Sequence, residues 1–256
     1  MVDVLMRSRV FLPTRDGPLR LFPNDYPFPE EVYDPVWLKA HVPCVRVGRF
    51  DSPRKVLFFH GNAGTLLTVR PVAKQLAARC DACVFVVEFP GFWRESDGRS
   101  TAPTERRTYT ASTDAAQALR KMEGDFHVVG YSLGTACAVR VAATVAGVRS
   151  LTLFAPLCSA MSVAAHESGR RSLMSLLCNV FSSLDVFRAD LDAPKVRVAS
   201  LVLHGDADET VPLMDGKRMA SLIRGCSLRT LPGVTHSTIL SSEDALNQAA
   251  IHIKSH

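Results

Sequence analysis

The sequence predicts an α/β fold in which a mostly parallel central sheet carries helices on both faces. From about residue 54 onward, short runs of apolar, β-branched and aromatic residues alternate with longer runs of helical periodicity. The short runs show little polar alternation, which is typical of parallel strands buried on both faces. With 256 residues, of which 47% are hydrophobic, the chain is long enough to form one large domain over residues 1–256.

The first 50 residues differ from the rest because prolines between Pro23 and Pro43 interrupt them repeatedly. Proline lacks the backbone N–H that a central strand must donate, so we expect this segment to lie at the edge of the sheet. We predict one strand near residues 4–12, an irregular excursion, and a second strand near residues 45–50. Together these strands would form an antiparallel edge.

The remaining elements follow in a regular order. Strands are predicted at residues 55–60, 83–89, 126–129, 151–154, 201–204 and 228–231. Helices are predicted at residues 66–79, 104–121 and 135–146, each long enough to connect two parallel strands. Residues 158–198 interrupt this order and are expected to form a small helical cap.

One stretch of this insertion, residues 173–181, has Leu173, Leu176, Leu177 and Val180 on a single helical face. Such a stripe is either a helix packed on the core or a cap over the entrance to a substrate site, and one helix can be both. If it is a cap, an apolar groove for an acyl chain is expected along it. Residues that could line that groove are Met161, Leu173, Met174, Leu177 and Phe181.

Composition excludes several classes of protein. The formal charge of +5 comes from scattered basic residues without a nucleic-acid-binding motif, so we expect no nucleic-acid partner. No run approaches the ~18 apolar residues of a membrane span, and the N-terminus lacks a secretory pattern. We therefore expect a cytoplasmic protein, with peripheral contact to an anionic membrane surface left open. Seven cysteines, an odd number, indicate reduced thiols, and the pair at Cys80 and Cys83 is assigned to packing because no second pair completes a metal site.

A candidate nucleophile lies where the predicted strand at 126–129 passes into a helix. Residues 130–134 read Gly-Tyr-Ser-Leu-Gly, with Ser132 between two glycines. A side chain on so sharp a strand-to-helix turn crowds its neighbours, and flanking glycines relieve that crowding. The turn also places the Ser132 hydroxyl at a helix N-terminus, where free N–H groups favour developing negative charge.

A serine hydroxyl needs a base, normally a histidine oriented by a carboxylate, and the chain offers both further on. The strand at 201–204 runs into an acidic loop that contains Asp206 and Asp208, and His236 lies in a loop after the strand at 228–231. Each group follows the carboxyl end of a strand, where open α/β sheets build their sites. The order Ser, Asp, His also fits, while the residues alone leave either aspartate as the acid.

From residue 43 onward the sequence resembles the α/β-hydrolase superfamily. Five blocks appear in the family's order: residues 59–64 (FHGNAG), 89–98 (FPGF with SDG), 130–134 (GYSLG), 204–212 (HGDAD with VP) and 233–236 (GVTH). The chain is most similar to the α/β-hydrolase domain-containing serine hydrolases, some of which are acyl-protein thioesterases that remove palmitate.

The resemblance implies an α/β-hydrolase fold and selects Asp208 over Asp206 as the acid. The oxyanion of the reaction intermediate needs two N–H donors. One is expected from Leu133, the residue after the nucleophile, and the resemblance implies that Asn62 supplies the other. It also implies structural roles for His60 and His204, and neither a metal nor a cofactor.

The expected activity is hydrolysis of a carboxylic ester or thioester through an acyl-enzyme, on a small acyl ester, an acyl-lipid or a palmitoylated protein. Two alternatives stay open: a catalytically silent hydrolase fold that acts as a binding or scaffold protein, and a serine peptidase. The depalmitoylating relatives attach to membranes through a cysteine-rich N-terminus, whereas the first cysteine here is Cys44. The sequence does not predict the oligomeric state.

Overall fold

The computed structural model of the chain describes residues 19–20, 42–62, 64–91, 93–94, 104–167 and 186–256. Its strands are β1 Leu19–Arg20, β2 Cys44–Gly48, β3 Lys55–Phe59, β4 Cys83–Val87, β5 Trp93–Arg94, β6 Phe126–Tyr131, β7 Val148–Phe154, β8 Ala199–Gly205 and β9 Ser227–Leu231. Its α-helices are α1 Leu66–Cys80, α2 Glu105–Glu123, α3 Leu133–Thr144, α4 Ala160–Glu167, α5 Ala189–Asp192, α6 Leu213–Leu222 and α7 Glu243–Lys254. Short 3₁₀ turns lie at Ala193–Lys195 and Ile239–Ser241.

Seven strands form the central sheet, in the order β2-β4-β3-β6-β7-β8-β9. All neighbours run parallel except β2, which pairs antiparallel with β4 at the edge. A separate two-residue parallel pair joins β1 to β5. The prediction of a mostly parallel α/β sheet is therefore confirmed.

The strands form where the apolar runs predicted them, because every residue of β3 and β4 is buried. The bounds differ by up to three residues: β7 begins three residues before its predicted start, and β6 continues two residues past its predicted end to reach Tyr131. As a result, helix α3 begins at Leu133, directly after Ser132, and not at Thr135 as predicted.

Helices cover both faces of the sheet, as predicted. Apolar side chains of α1 and α7 pack together on one face, and those of α2, α3 and α6 belong to the core of the other face. Helix α1 is capped by Thr65, whose side chain accepts from the Thr68 amide while the Thr68 hydroxyl accepts from the Thr65 amide. None of the helices in the described ranges is both long and apolar enough to cross a bilayer.

The predicted edge strand near residues 45–50 is observed as β2, whereas the predicted strand at 4–12 lies outside the described residues. Of the insertion at 158–198, the structure describes α4, α5 and their flanks, and the apolar stripe at 173–181 also lies outside. The six cysteines that the structure describes are free thiols, and five of them are buried. Cys80 and Cys83 are among the buried ones, and burial raises the pKa of each to about 11.

Candidate active site

Ser132 occupies the turn between β6 and α3 in a backbone conformation that residues other than glycine rarely adopt, with φ of 51° and ψ of −122°. Its amide donates to the Phe154 carbonyl at 3.0 Å, a bond that continues the pairing of β6 with β7. Its own carbonyl accepts from the Thr135 amide at 2.9 Å and from the Thr135 hydroxyl at 2.6 Å. These bonds hold the strained residue in place at the start of α3.

The two glycines of the turn are required by close packing. A Cβ on Gly134 would lie 2.2 Å from the Phe59 carbonyl oxygen, and one on Gly130 would lie 2.7 Å from the Gly134 carbonyl oxygen. Both obstacles are backbone atoms, which cannot rotate away. The turn around Ser132 therefore has no room for side chains at positions 130 and 134, as the sequence predicted.

Asp208 follows β8 and is 8% exposed. Its Oδ1 accepts from the amides of Thr210 and Val211 at 2.9 and 2.8 Å, which leaves Oδ2 to face His236. Burial alone raises the pKa of this carboxyl, but the hydrogen bonds from His236 and from the two amides outweigh that effect. The pKa of Asp208 is consequently held below its ordinary value, and the group is ionised at neutral pH.

His236 follows β9 and bridges the other two groups. Its Nδ1 lies 2.8 Å from Oδ2 of Asp208 and its Nε2 lies 3.0 Å from Oγ of Ser132. Because Asp208 is ionised, Nδ1 donates and Nε2 accepts the serine hydroxyl proton. The three groups, separated by up to 104 residues in sequence, form one hydrogen-bonded chain that can pass a proton from the hydroxyl to the ring.

Asp206, the alternative acid, is exposed and points elsewhere. Its Oδ1 accepts from the Gly233 amide at 2.7 Å and so braces the loop that carries His236. The same loop is held where Ala207 donates to the Val234 carbonyl at 3.2 Å. The structure therefore joins Asp208, and not Asp206, to the histidine ring.

The two predicted oxyanion donors lie on segments that flank Ser132. Leu133 is the first residue of α3, where helical N–H groups have no partner within the helix. Asn62 follows the end of β3, next to Gly61, and a Cβ on Gly61 would lie 3.2 Å from Cβ of Ser132. The loop bearing Asn62 thus passes directly beside the serine.

Glu88, the buried partner of His60 beneath this loop, was not predicted from the sequence. Nε2 of His60 lies 2.7 Å from Oε1 of Glu88, and both side chains are fully buried. The carboxylate of Glu88 also accepts from the Leu66 amide at 2.9 Å and from the Phe89 amide at 3.0 Å. Since Nδ1 of His60 faces the Gly61 carbonyl at 2.8 Å, the pair links the turn after β3 to the start of α1. The available signal was an acidic residue at the end of an otherwise apolar run, because a buried carboxylate requires a partner.

His204 lies beside Asp208, the predicted acid. Its Nε2 lies 3.0 Å from the Val211 carbonyl and 3.5 Å from Oδ2 of Asp208. Burial lowers the pKa of His204, so the ring is neutral and donates to that carbonyl. The predicted structural roles of His60 and His204 agree with these contacts.

Three comparisons with known proteins bear on the chain. A family model described as the alpha/beta hydrolase family matches residues 56–177. A curated relative, the alpha/beta hydrolase domain-containing protein aho-3 of Caenorhabditis elegans, is 27% identical over 198 residues, which cover 74% of this chain and 54% of the relative. The matched segment thus spans about half the length of that relative.

Among solved structures, the Pyrobaculum calidifontis hyperthermophilic esterase superposes with a TM-score of 0.65 at 19% identity, covering 84% of this chain and 79% of the esterase. The Pyrococcus furiosus esterase Pf2001 superposes with a TM-score of 0.67 at 16% identity, covering 93% of this chain and 96% of the esterase. At such identities the likeness concerns the fold. It extends over most of both chains.

Proposed function

Because the chain is a member of the α/β-hydrolase superfamily, we propose that it is a serine hydrolase that cleaves carboxylic esters or thioesters through an acyl-enzyme. The observation that carries this proposal is the hydrogen-bonded chain from Ser132 through His236 to Asp208. A buried, ionised carboxylate behind a histidine that accepts from a strained serine is the arrangement that nucleophilic acyl transfer needs.

In the proposed reaction, Nε2 of His236 takes the hydroxyl proton as Oγ of Ser132 attacks the substrate carbonyl carbon. Asp208 stabilises the imidazolium, and the amides of Leu133 and Asn62 donate to the oxyanion. Collapse of the intermediate breaks the bond to the leaving group, which receives the proton from His236. Water then attacks the acyl-enzyme by the same route and releases the acid, restoring Ser132.

The proposed substrate is a small acyl ester or thioester, with acyl-lipids and palmitoylated proteins as the more specific forms. Support for ester cleavage comes from the fold neighbours, two of which are named as esterases. We further propose that residues 1–256 form one domain in which residues 158–198 cap the site. In the described part of that cap, α4 is tied to α6 because Asp215 accepts from the Cys158 amide at 2.9 Å and from the Ser162 hydroxyl.

A panel of p-nitrophenyl esters and acyl-thioesters of increasing chain length tests the proposal, together with labelling by a fluorophosphonate that reacts with activated serines. Wild-type protein is expected to turn over at least one series and to be labelled, and Ser132→Ala is expected to lose both. Labelling that persists in Ser132→Ala would contradict the assignment of the nucleophile. A wild type that is neither labelled nor active would favour the silent binding or scaffold protein.

A further inference from the structure

Tyr131, the last residue of β6, contacts the loop that carries His236 in two ways. Its hydroxyl donates to the His236 carbonyl oxygen at 3.0 Å. Its ring stacks on the imidazole, with the ring centres 5.2 Å apart and the planes inclined by 30°. One side chain therefore restrains both the backbone and the ring of His236.

The same tyrosine ring also touches the loop after β3. A Cβ on Gly61 would lie 3.0 Å from both Cδ1 and Cε1 of Tyr131, so the Gly61 backbone rests against the ring. Gly61 immediately precedes Asn62, the proposed oxyanion donor. The ring of Tyr131 thus lies between the loop expected to bind the oxyanion and the loop that carries the base.

The hydroxyl of Tyr131 keeps its proton at neutral pH. Burial raises the pKa of Tyr131 to about 12, and the negative charges of Asp208 and Glu209 act in the same direction. The phenol is therefore able to donate to the His236 carbonyl at neutral pH.

We propose that Tyr131 is a positioning residue that sets the separation between the loop at residues 61–62 and the loop of His236, and thereby aims Nε2 at Oγ of Ser132. The inference rests on the proposed function for its kinetic consequence and on geometry alone for its structural one. Proton transfer and oxyanion binding both belong to the transition state, so a misplaced loop lowers kcat while KM changes little.

The first test compares Tyr131→Phe, which removes only the hydroxyl, with Tyr131→Leu, which also removes the stacked ring. We expect kcat to fall about fivefold in the first, as for loss of one ordinary hydrogen bond, and about 10²-fold in the second, with KM within about twofold of wild type in both. Tyr109→Phe is the matched control, because the Tyr109 hydroxyl has no hydrogen-bond partner within the described residues. The proposal would be overturned if Tyr131→Phe had an unchanged kcat, or if its lower activity were fully explained by a smaller folded fraction, as judged from its melting temperature.

A double-mutant cycle tests the contact with the other loop. Gly61→Ala adds a methyl group that would lie 3.0 Å from the ring of Tyr131 and 3.2 Å from Cβ of Ser132. Tyr131→Ala removes only the first of these contacts, so we expect Gly61→Ala to lower kcat about tenfold in the wild type but less than about threefold in the Tyr131→Ala background. Equal losses in both backgrounds would show that the ring does not transmit the effect. If Tyr131→Ala does not fold, the Tyr131→Phe comparison still decides the matter.

A readout that needs no turnover separates this proposal from the proposed function. The Nδ1 proton of His236, bonded to Asp208, is expected to give a downfield proton NMR signal in wild type and Tyr109→Phe, and to broaden by faster exchange in Tyr131→Phe. An unchanged signal in Tyr131→Phe would overturn the positioning role even in an active enzyme. Conversely, a broadened signal in a protein without esterase activity would uphold the role while the proposed function failed.

Discussion

The substitution Asp208→Asn tests whether Asp208, and not Asp206 two residues earlier, is the acid that orients His236. In Asp208→Asn, the side-chain oxygen is expected to keep accepting from the amides of Thr210 and Val211, because turning the NH₂ group toward those two donors would leave both unpaired. The NH₂ group then faces Nδ1 of His236, which must become the acceptor. Nε2 consequently carries the proton and can no longer accept one from Ser132.

The expected cost of this wrong tautomer is about 10³- to 10⁴-fold in kcat, or roughly 4 to 5.5 kcal/mol of transition-state stabilisation. Asp206→Asn is the matched control. An amide oxygen at that exposed position can accept from Gly233 just as the carboxylate does, so we expect activity within about twofold of wild type.

The assay is steady-state hydrolysis of the best p-nitrophenyl ester, with Ser132→Ala as the blank and thermal melting as the check on folding. Folded Asp208→Asn protein within about tenfold of wild type would refute the tautomer reasoning. So would a folded Asp206→Asn variant that is as inactive as Asp208→Asn, since the loop brace would then matter as much as the acid.

Three further predictions concern stability and reactivity. Gly134→Ala is expected to lower the free energy of unfolding, measured by urea titration, by about 3 kcal/mol or more, because the added Cβ meets the Phe59 carbonyl. Gly225→Ala is the control: no atom lies within 4 Å of its added Cβ, and only the φ of 72° is unfavourable, so the expected loss is about 1 kcal/mol. Burial raises the pKa of the Cys137 thiol to about 12, so iodoacetamide at pH 8 should alkylate it only in unfolded protein, as mass spectrometry can report. Burial lowers the pKa of His127 from 6.5 to about 4, so the unfolded chain takes up the proton first as the pH falls. The free energy of unfolding should therefore decrease by up to about 3 kcal/mol between pH 6.5 and pH 4, and His127→Gln should remove this pH dependence.

The parallel character of the sheet and the meeting of Ser132, Asp208 and His236 could be predicted because both follow from local signals. Apolar runs mark buried strands, and the carboxyl ends of parallel strands share one edge of the sheet. Even so, the choice between Asp206 and Asp208 depended on family resemblance, since local sequence does not show which carboxylate points inward.

Helix α6 and the Glu88 pair show where local signals fail. Helix α6 contains Gly216, a poor helix former, and tertiary packing explains it: a Cβ there would lie 2.4 Å from Nδ1 of His204. Glu88 finds its histidine 28 residues earlier in the chain, a distance over which sequence periodicity carries no information. Helix α7 was not predicted either, although Ser242 caps it by accepting from the Ala245 amide and two acidic residues lie in its first turn. That start signal was present in the sequence.

The amide of Ser132 donates to the Phe154 carbonyl between β6 and β7, two central strands of the sheet. Its deuterium uptake should therefore be among the slowest in the protein, requiring the opening of the whole domain. Asp208 and His236 lie in loops after β8 and β9, and we expect these loops to open at a lower free energy than the sheet. Heating or denaturant should then separate Asp208 and His236, the proposed acid and base, before Ser132 leaves its place, so inactivation is expected to precede global melting.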